Sequence, residues 1–414
     1  MIARSESLRL IPADEARRLL ATVPPVGVET VDLSRAVGRV LATPLVADVD
    51  MPSELRSAMD GYAVQAADVA TATEHAPINL TIVGTVLAGT TFDGVLTSGQ
   101  AVGIVTGGVV PSGGDAVVMV ESTQAAPGKP GMVAIVKGVS AGAHVVQRGE
   151  DVPSGATVLS AGRRLRASDI AALASFGIVD VAVFRRPRIA VFATGSELCL
   201  PEQTPRPGQV RDSNSYVLAA EVEQAGGIAV RAGIVDDDLD RLRETVLRLA
   251  AENDGVILSG GSSIGPKDLT GAVLRALPGP GVVFHGIDIR PGKPTVFALA
   301  GAKPVIGMPG YPTSSMVVFE AFVRPMLARL GGEAVADDFP SPVRARLAKA
   351  YVKPASREDY LRVKLVMRDG EPTVDVLPGG SAAISNVLQA DGLVRVPAGV
   401  ERWDAGQWVA VRLF

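Results

Sequence analysis

Between Pro187 and Leu330 the chain alternates short apolar runs with amphipathic stretches, and few folds accommodate that alternation. Ile189–Ala193, Ile228–Val230, Gly255–Leu258, Val282–Phe284, Thr295–Ala298 and Val305–Ile306 predict strands. Tyr216, Ala219 and Ala220 give one helix face, and Leu239, Leu242, Val246 and Leu249 a second. Further helices are expected near Leu269–Leu277 and from about Ser314. Strands apolar on both sides, separated by helices, call for a mostly parallel sheet covered on both faces. Ligands of such a sheet sit beyond the carboxyl ends of its strands.

At 414 residues the chain exceeds what one hydrophobic core serves, so several domains are expected. A formal net charge of −4 argues against a nucleic-acid surface, so any anion must be held locally. The single cysteine, Cys199, excludes an internal disulfide framework. The three histidines, His75, His144 and His285, are too scattered for a zinc centre, which leaves carboxylates as the metal ligands to expect. No run reaches the ~20 apolar residues of a membrane helix, so a soluble cytoplasmic protein with no membrane partner is expected.

Outside the alternating region the pattern changes. Residues 51–140 predict a small β domain, with strands at Ile78–Val83, Ala101–Val105, Ala116–Val120 and Met132–Val136 between Gly and Pro turns. That domain is expected to be inserted into a discontinuous N-terminal α+β domain made of 1–50 and 141–185. The α/β domain then covers 186–330. A C-terminal β domain covers 331–414, where Asp369-Gly370 is a hairpin signal.

The polar residues at the ends of the α/β strands suggest chemistry. Thr194-Gly195-Ser196-Glu197 closes the first strand, and Ser259-Gly260-Gly261-Ser262 the third, followed by Asp268. Glycines admit close approach of backbone to a ligand, and the hydroxyls suit a phosphate. Asp268 suits either a helix cap or a Mg²⁺ ligand. Lys293 sits on a loop stiffened by Pro291 and Pro294, and Pro309-Gly310 leads through Pro312 to Ser314 at a helix start. Rigid loops lower the cost of holding an anion. Asp60, Thr106, Asp151, Arg357 and Ser381 are ambiguous alone, and the run Asp236-Asp237-Asp238 reads most simply as a helix cap.

Taken in order, SAMDGYA from Ser57, IVTGG from Ile104, GEDV from Gly149, TGSE from Thr194, GGSSIGPKD from Gly260, RPGKP from Arg290 and GMPGYPTSS from Gly307 resemble the MoeA family of molybdopterin molybdenumtransferases, to which the gephyrin E domain is also similar. The resemblance implies an α/β-plus-β multidomain fold with a Rossmann-like, MogA/MoaB-like three-layer domain. It also implies a homodimer with its active site across the interface, and insertion of molybdate into adenylylated molybdopterin with release of AMP and use of Mg²⁺. On the matching positions, Asp60, Thr106, Asp151, Glu197, Asp237 and Asp268 would be catalytic, with Asp268 and Asp237 near the metal. Thr194, Gly195, Ser259, Gly260, Gly261, Ser262, Lys293, Pro294, Pro309, Gly310, Ser314, Arg357 and Ser381 would bind substrate. Pathway partners of MogA/MoaB type and MobA type would follow. The chain has Tyr311 where the family often has asparagine, and Arg290 where it often has lysine. A tungstate-inserting paralogue and a non-catalytic pterin-binding scaffold are the alternatives that the resemblance leaves open.

Overall fold

The structure, a computed structural model, describes residues 9–260, 269–336 and 338–414. Its described residues form two compact units, one drawn from 9–43, 161–170 and 179–414, the other from Pro44–Ser160 and Ala171–Ile178.

The larger unit is built on the alternating segment. Its strands are β1 (Arg188–Thr194), β2 (Ile228–Val235), β3 (Gly255–Ser259), β4 (Gly281–His285), β5 (Val296–Ala300) and β6 (Lys303–Met308). They form one six-stranded sheet in the order β2-β1-β3-β6-β5-β4. The β2/β1, β1/β3 and β3/β6 pairs are parallel, as the apolar runs predict. The β6/β5 and β5/β4 pairs are antiparallel. Only Gly301 and Ala302 separate β5 from β6, and a two-residue connection permits a hairpin but no crossover.

The strand pleat explains why both faces are apolar. Ile189, Val191, Ile257 and Ile306 pack on one side with Leu218 and Val222 of α1 (Asn214–Gln224). Ala190, Phe192, Val256, Leu258 and Val305 pack on the other with Leu242, Val246 and Leu249 of α2 (Leu239–Glu252) and with Val273 and Leu274 of α3 (Leu269–Arg275). Neighbouring residues of one strand therefore serve opposite cores. The helix expected from Ser314 begins slightly earlier as α4 (Pro312–Val318), and continues through a π turn, Phe319–Val323, into α5 (Arg324–Leu330). Pro312 stands in its first turn, where a missing N–H is harmless.

The last part of this unit is a small closed ring of β7 (Val343–Leu347), β8 (Glu358–Arg368), β9 (Glu371–Val376), β10 (Gly392–Val396) and β11 (Trp408–Leu413). Asp369 and Gly370, with φ of 50° and 79°, make the tight turn between β8 and β9 that the sequence signals. Ile289–Arg290 adds to the outer end of β8 in parallel register, tying the loop after β4 to this ring.

The smaller unit carries a six-stranded sheet, from Gly61–Val64 to Met132–Ile135, around the expected strands. Val64, Leu80, Ala101, Val118 and Ile135 fill one core, and Ala63, Val86, Val102 and Val117 fill another. Its sheet segment includes one short helix, Ala66–Val69. No helix among the described residues is long and apolar enough to cross a membrane.

One buried charge cluster in the larger unit makes stability depend on pH. Arg324 bridges Glu221, at 2.5 Å, and Glu320, at 2.6 Å, while Arg412 donates to Glu320 at 2.8 Å. Burial first, then the Glu320 charge, pushes the Glu221 carboxyl up to about 7. Burial raises Glu320 too, but its arginine contacts hold it below the usual range. A raised acid binds its proton more tightly folded than unfolded. The resulting stability is full below the unfolded pKa and is lost as pH rises through about 7. Glu221→Gln is therefore expected to match the wild type near pH 4 and to exceed it by about 2–3 kcal/mol at pH 8. Denaturant melts at the two pH values measure this, and equal stability at pH 8 would refute it.

Candidate functional site

Because β1, β3 and β6 are parallel and adjacent, their carboxyl ends open side by side, with Ala193 in register with Ser259 and Ser259 with Met308. Beyond them lies a cleft of about 900 Å³. Thr194 ends β1 and Glu197 lies in the loop after it, Ser259 and Gly260 come from the end of β3, and Pro309, Gly310 and Ser314 from the loop after β6 and the start of α4. Lys293 and Pro294 come from the loop before β5, and Arg357 and Ser381 from the C-terminal ring. Eleven residues expected from scattered motifs thus wall one cleft: Thr194, Glu197, Ser259, Gly260, Lys293, Pro294, Pro309, Gly310, Ser314, Arg357 and Ser381.

Two other expected residues shape this wall without being part of it. Gly195 has a φ of 154°, and a Cβ there would stand 2.7 Å from the Glu197 carboxylate, so glycine lets that carboxylate fold back over its own turn. Asp237 accepts from the Thr194 hydroxyl at 2.9 Å and the Ser196 N–H at 3.1 Å. Within the aspartate run, Asp238 is the residue that caps α2, through the Arg241 N–H at 2.9 Å. Asp236 pairs with the Arg241 side chain. The run divides three ways, and Asp237 is directed to the loop after β1. Gly261, Ser262 and Asp268 lie outside the described residues.

Asp60, Thr106 and Asp151 belong to the smaller unit. Asp60 accepts from the Thr106 N–H at 2.6 Å and its hydroxyl at 2.8 Å. Those bonds, the backbone one first, hold the Asp60 carboxyl below the usual range. Both residues are exposed, as is Asp151. Together they present an ionised carboxylate with its orientation fixed, which suits binding a cation or a donor-rich ligand.

The expectations above left out several residues of the cleft. Asn214 donates to the Ser259 hydroxyl at 2.7 Å and to the Gly310 carbonyl at 2.8 Å, joining the β3 end to the proline loop. Asp212 is buried and accepts from the Ser215 N–H at 3.0 Å, which fixes the start of α1. In sequence both resemble ordinary helix-start residues, and the Asp-Ser-Asn run ahead of the Tyr216 face was the available signal. Tyr311 is 60% exposed on the cleft wall, where an aromatic face is free to stack on a planar ring. Arg290 lines the same wall.

Ser259 and Ser314 supply hydroxyls, and Lys293, Arg290 and Arg357 supply positive charge, while the Thr194 hydroxyl is engaged by Asp237. That set suits tetrahedral oxyanions and phosphates, with arginine able to grip two oxygens at once. Glu197 offers an acceptor for the N–H edge of a heterocycle. Among the described residues, no three His, Cys, Asp or Glu side chains gather as a metal-binding group.

Comparison with known proteins gives the same picture along the chain. Residues 11–177 match the family described as MoeA N-terminal region (domain I and II). Residues 190–329 match a probable molybdopterin binding domain, and 344–414 the MoeA C-terminal region (domain IV). A molybdopterin molybdenumtransferase of Nostoc sp. is 37% identical over 388 residues, spanning 92% of this chain and 88% of the relative. A molybdopterin molybdenumtransferase 2 of Mycobacterium tuberculosis is 34% identical over 390 residues, spanning 92% and 94%. A crystal structure of the molybdopterin biosynthesis MoeA protein from Pyrococcus horikoshii OT3 superposes with a TM-score of 0.84 at 30% identity, covering 98% of this chain and all of that one. With a cleft of matching chemistry and this likeness over nearly its whole length, the chain belongs to the MoeA family of molybdopterin molybdenumtransferases.

Proposed function

We propose that this protein inserts molybdate into adenylylated molybdopterin and releases AMP. The observation that carries the reading is the cleft at the ends of β1, β3 and β6, whose wall brings together Lys293, Arg357, Ser259 and Ser314. Molybdate is a dianion, and cations with hydroxyl donors compensate its charge and orient its oxygens. Glu197 takes the N–H edge of the pterin. The two dithiolene thiols then bond to molybdenum, their two protons leaving with one displaced oxide as water, and a second water cleaves the anhydride between the pterin phosphate and AMP to free the nucleotide.

Asp237 has the chemistry for the Mg²⁺ that the family implies. Each of its oxygens takes one hydrogen bond and keeps acceptor capacity, and the carboxylate is exposed. Mg²⁺ is commonly held by one or two carboxylates plus substrate phosphates, and Asp237, with Asp268 of the family motif, would hold it. When bound, the ion neutralises phosphate charge. Asp237 meanwhile holds the Thr194–Ser196 turn in place.

We assign the chain to a homodimer in which Asp60, Thr106 and Asp151 complete the cleft of the other copy. The domain division follows the same reading: 1–50 with 141–185, 51–140, 186–330 and 331–414. The deciding experiment supplies purified protein with adenylylated molybdopterin, Mg²⁺ and increasing molybdate. AMP release that rises with molybdate is expected, while pterin binding without turnover would leave a scaffold. Tungstate in place of molybdate reads oxyanion choice. Mixing Asp60→Ala with Lys293→Ala protein is expected to restore part of the turnover that each variant lacks, and no recovery would refute a site completed in trans.

A further inference from the structure

Asp359 occupies an unusual position beside the cleft. It lies on β8, opposite Arg290 in the parallel pairing of Ile289–Arg290 with that strand. The strand pleat turns Glu358 the other way, where its carboxylate accepts from the buried Arg17 and from Tyr360. Asp359 therefore faces the arginines alone, and it is 1% exposed. Its Oδ2 accepts from the Tyr351 hydroxyl at 2.7 Å and from the Arg290 guanidinium, which also donates to the Tyr351 oxygen at 2.5 Å. Its Oδ1 is buried with no hydrogen-bond partner, and the Arg357 Nε stands 3.7 Å away. Both arginines line the cleft and keep about a third to a half of their side chains exposed.

An isolated buried carboxylate is unfavourable, and an unpaired oxygen on it adds to the penalty. That penalty is offset here by what the carboxylate does to two like charges that share a wall. It lies between the two guanidinium groups, lowers their mutual repulsion, and fixes the Arg290 fork while leaving donors of both arginines free. Tyr351 completes the arrangement. Burial first, then Asp359, pushes its phenol up to about 12, so it remains a donor throughout the ordinary pH range.

We infer that Asp359 is a positioning residue for oxyanion recognition, acting through Arg290 and Arg357 to set two guanidinium forks toward a tetrahedral oxyanion in the cleft. The inference rests on the reading that the cleft binds molybdate and a phosphorylated pterin. Either oxyanion presents the same chemistry, and the test separates them. Oδ1 makes no hydrogen bond and keeps only the 3.7 Å ion contact with Arg357, so it steers that guanidinium by charge without consuming its donors.

Asp359→Asn keeps the shape and removes the charge. Calorimetric titration with molybdate alone, then with tungstate alone, is expected to give at least about tenfold weaker binding than the wild type, the loss of one strong charge-assisted contact. In turnover, KM for molybdate should rise by the same factor with kcat within about threefold, if molybdate is the oxyanion positioned. A rise in KM for the adenylylated pterin instead would assign the forks to its phosphates. Asp359→Glu should recover part of the loss, which a purely structural defect would not. Tyr351→Phe retains the carboxylate and folds independently of the charge change, and a weaker rise in the same constant is expected of it. Unchanged affinity for both oxyanions and for the pterin in Asp359→Asn, or in Tyr351→Phe if the first variant does not fold, would overturn the inference. The titrations need no turnover, so a wild type that releases no AMP would sink the functional reading and leave this result separate.

Discussion

Replacing Lys293 by alanine is expected to lower kcat/KM for molybdate-dependent AMP release about 100-fold, with thermal stability within about 2 °C of the wild type. The separation of the two effects follows from how the loop is built. Hydrogen bonds to its carbonyls hold it without using the lysine side chain: the Thr295 hydroxyl donates to the Gly292 carbonyl at 2.7 Å, and the Ile287 N–H donates to the Lys293 carbonyl at 3.0 Å. Gly292 has a φ of 112°, and a Cβ there would meet Val318 at 2.4 Å, so the loop is seated against α4 by its backbone. Pro291 and Pro294 remove further freedom. The Lys293 side chain itself is exposed and lines the cleft. Alanine therefore deletes a charge and leaves the loop standing. A lost charged contact at about 2–3 kcal/mol corresponds to roughly two decades in rate. Lys293→Arg, which keeps the charge on a different head, should recover part of the loss. Steady-state rates over a molybdate series measure it, and a Lys293→Ala enzyme within threefold of the wild type would remove Lys293 from oxyanion binding.

The sequence makes the α/β layer readable because parallel strands buried on two faces show as unbroken apolar runs, while their covering helices repeat at helical spacing. Ile189–Ala193 and the Leu242, Val246, Leu249 series carry that signal without help from the rest of the chain, although Leu239, at the same spacing, stays exposed. The Asp369-Gly370 hairpin was legible for a local reason, since both residues tolerate positive φ. What the sequence hides is non-local or degenerate. Three consecutive aspartates look alike, yet Asp236, Asp237 and Asp238 go to an arginine, the loop after β1 and a helix cap because the backbone turns between them. Asn214 reads as a helix-start residue, and only the fold places Ser259 and Gly310 within its reach. The Arg290–Asp359 pair is separated by 69 residues, and strand register alone brings it together. The resemblance to the family located most of the cleft, but the residues that hold its walls in place are the ones a motif does not mark.

Gly260→Ala is expected to be the most damaging single methyl in the cleft. Gly260 has a φ of 105°, and a Cβ there would stand 2.0 Å from the carbonyl oxygen of Thr194. That partner is backbone at the end of a strand, and it has no rotamer to move into. Relief requires the ends of β1 and β3 to separate, which breaks the Ala193–Ser259 register and pulls Thr194 from Asp237. The ends also lie close to the next loop, since a Cβ on Gly310 would be 3.9 Å from the Gly260 Cα. A displacement at this point therefore moves three walls of the cleft together. The expected loss is about 4 kcal/mol of stability, at the severe end for a single substitution, with turnover reduced more than about 100-fold in whatever protein folds. Gly208→Ala separates the two causes. Gly208 has a φ of 86°, yet nothing lies within 4 Å of where its Cβ would be, so that variant reports backbone strain alone, about 1 kcal/mol. Denaturant melts of both variants, with AMP release measured on the folded fraction, make the comparison. Equal stabilities for the two would mean that the end of β3 yields to a side chain. The parallel strand ends would then be too loose to hold hydroxyls, lysine and glutamate against a small tetrahedral anion.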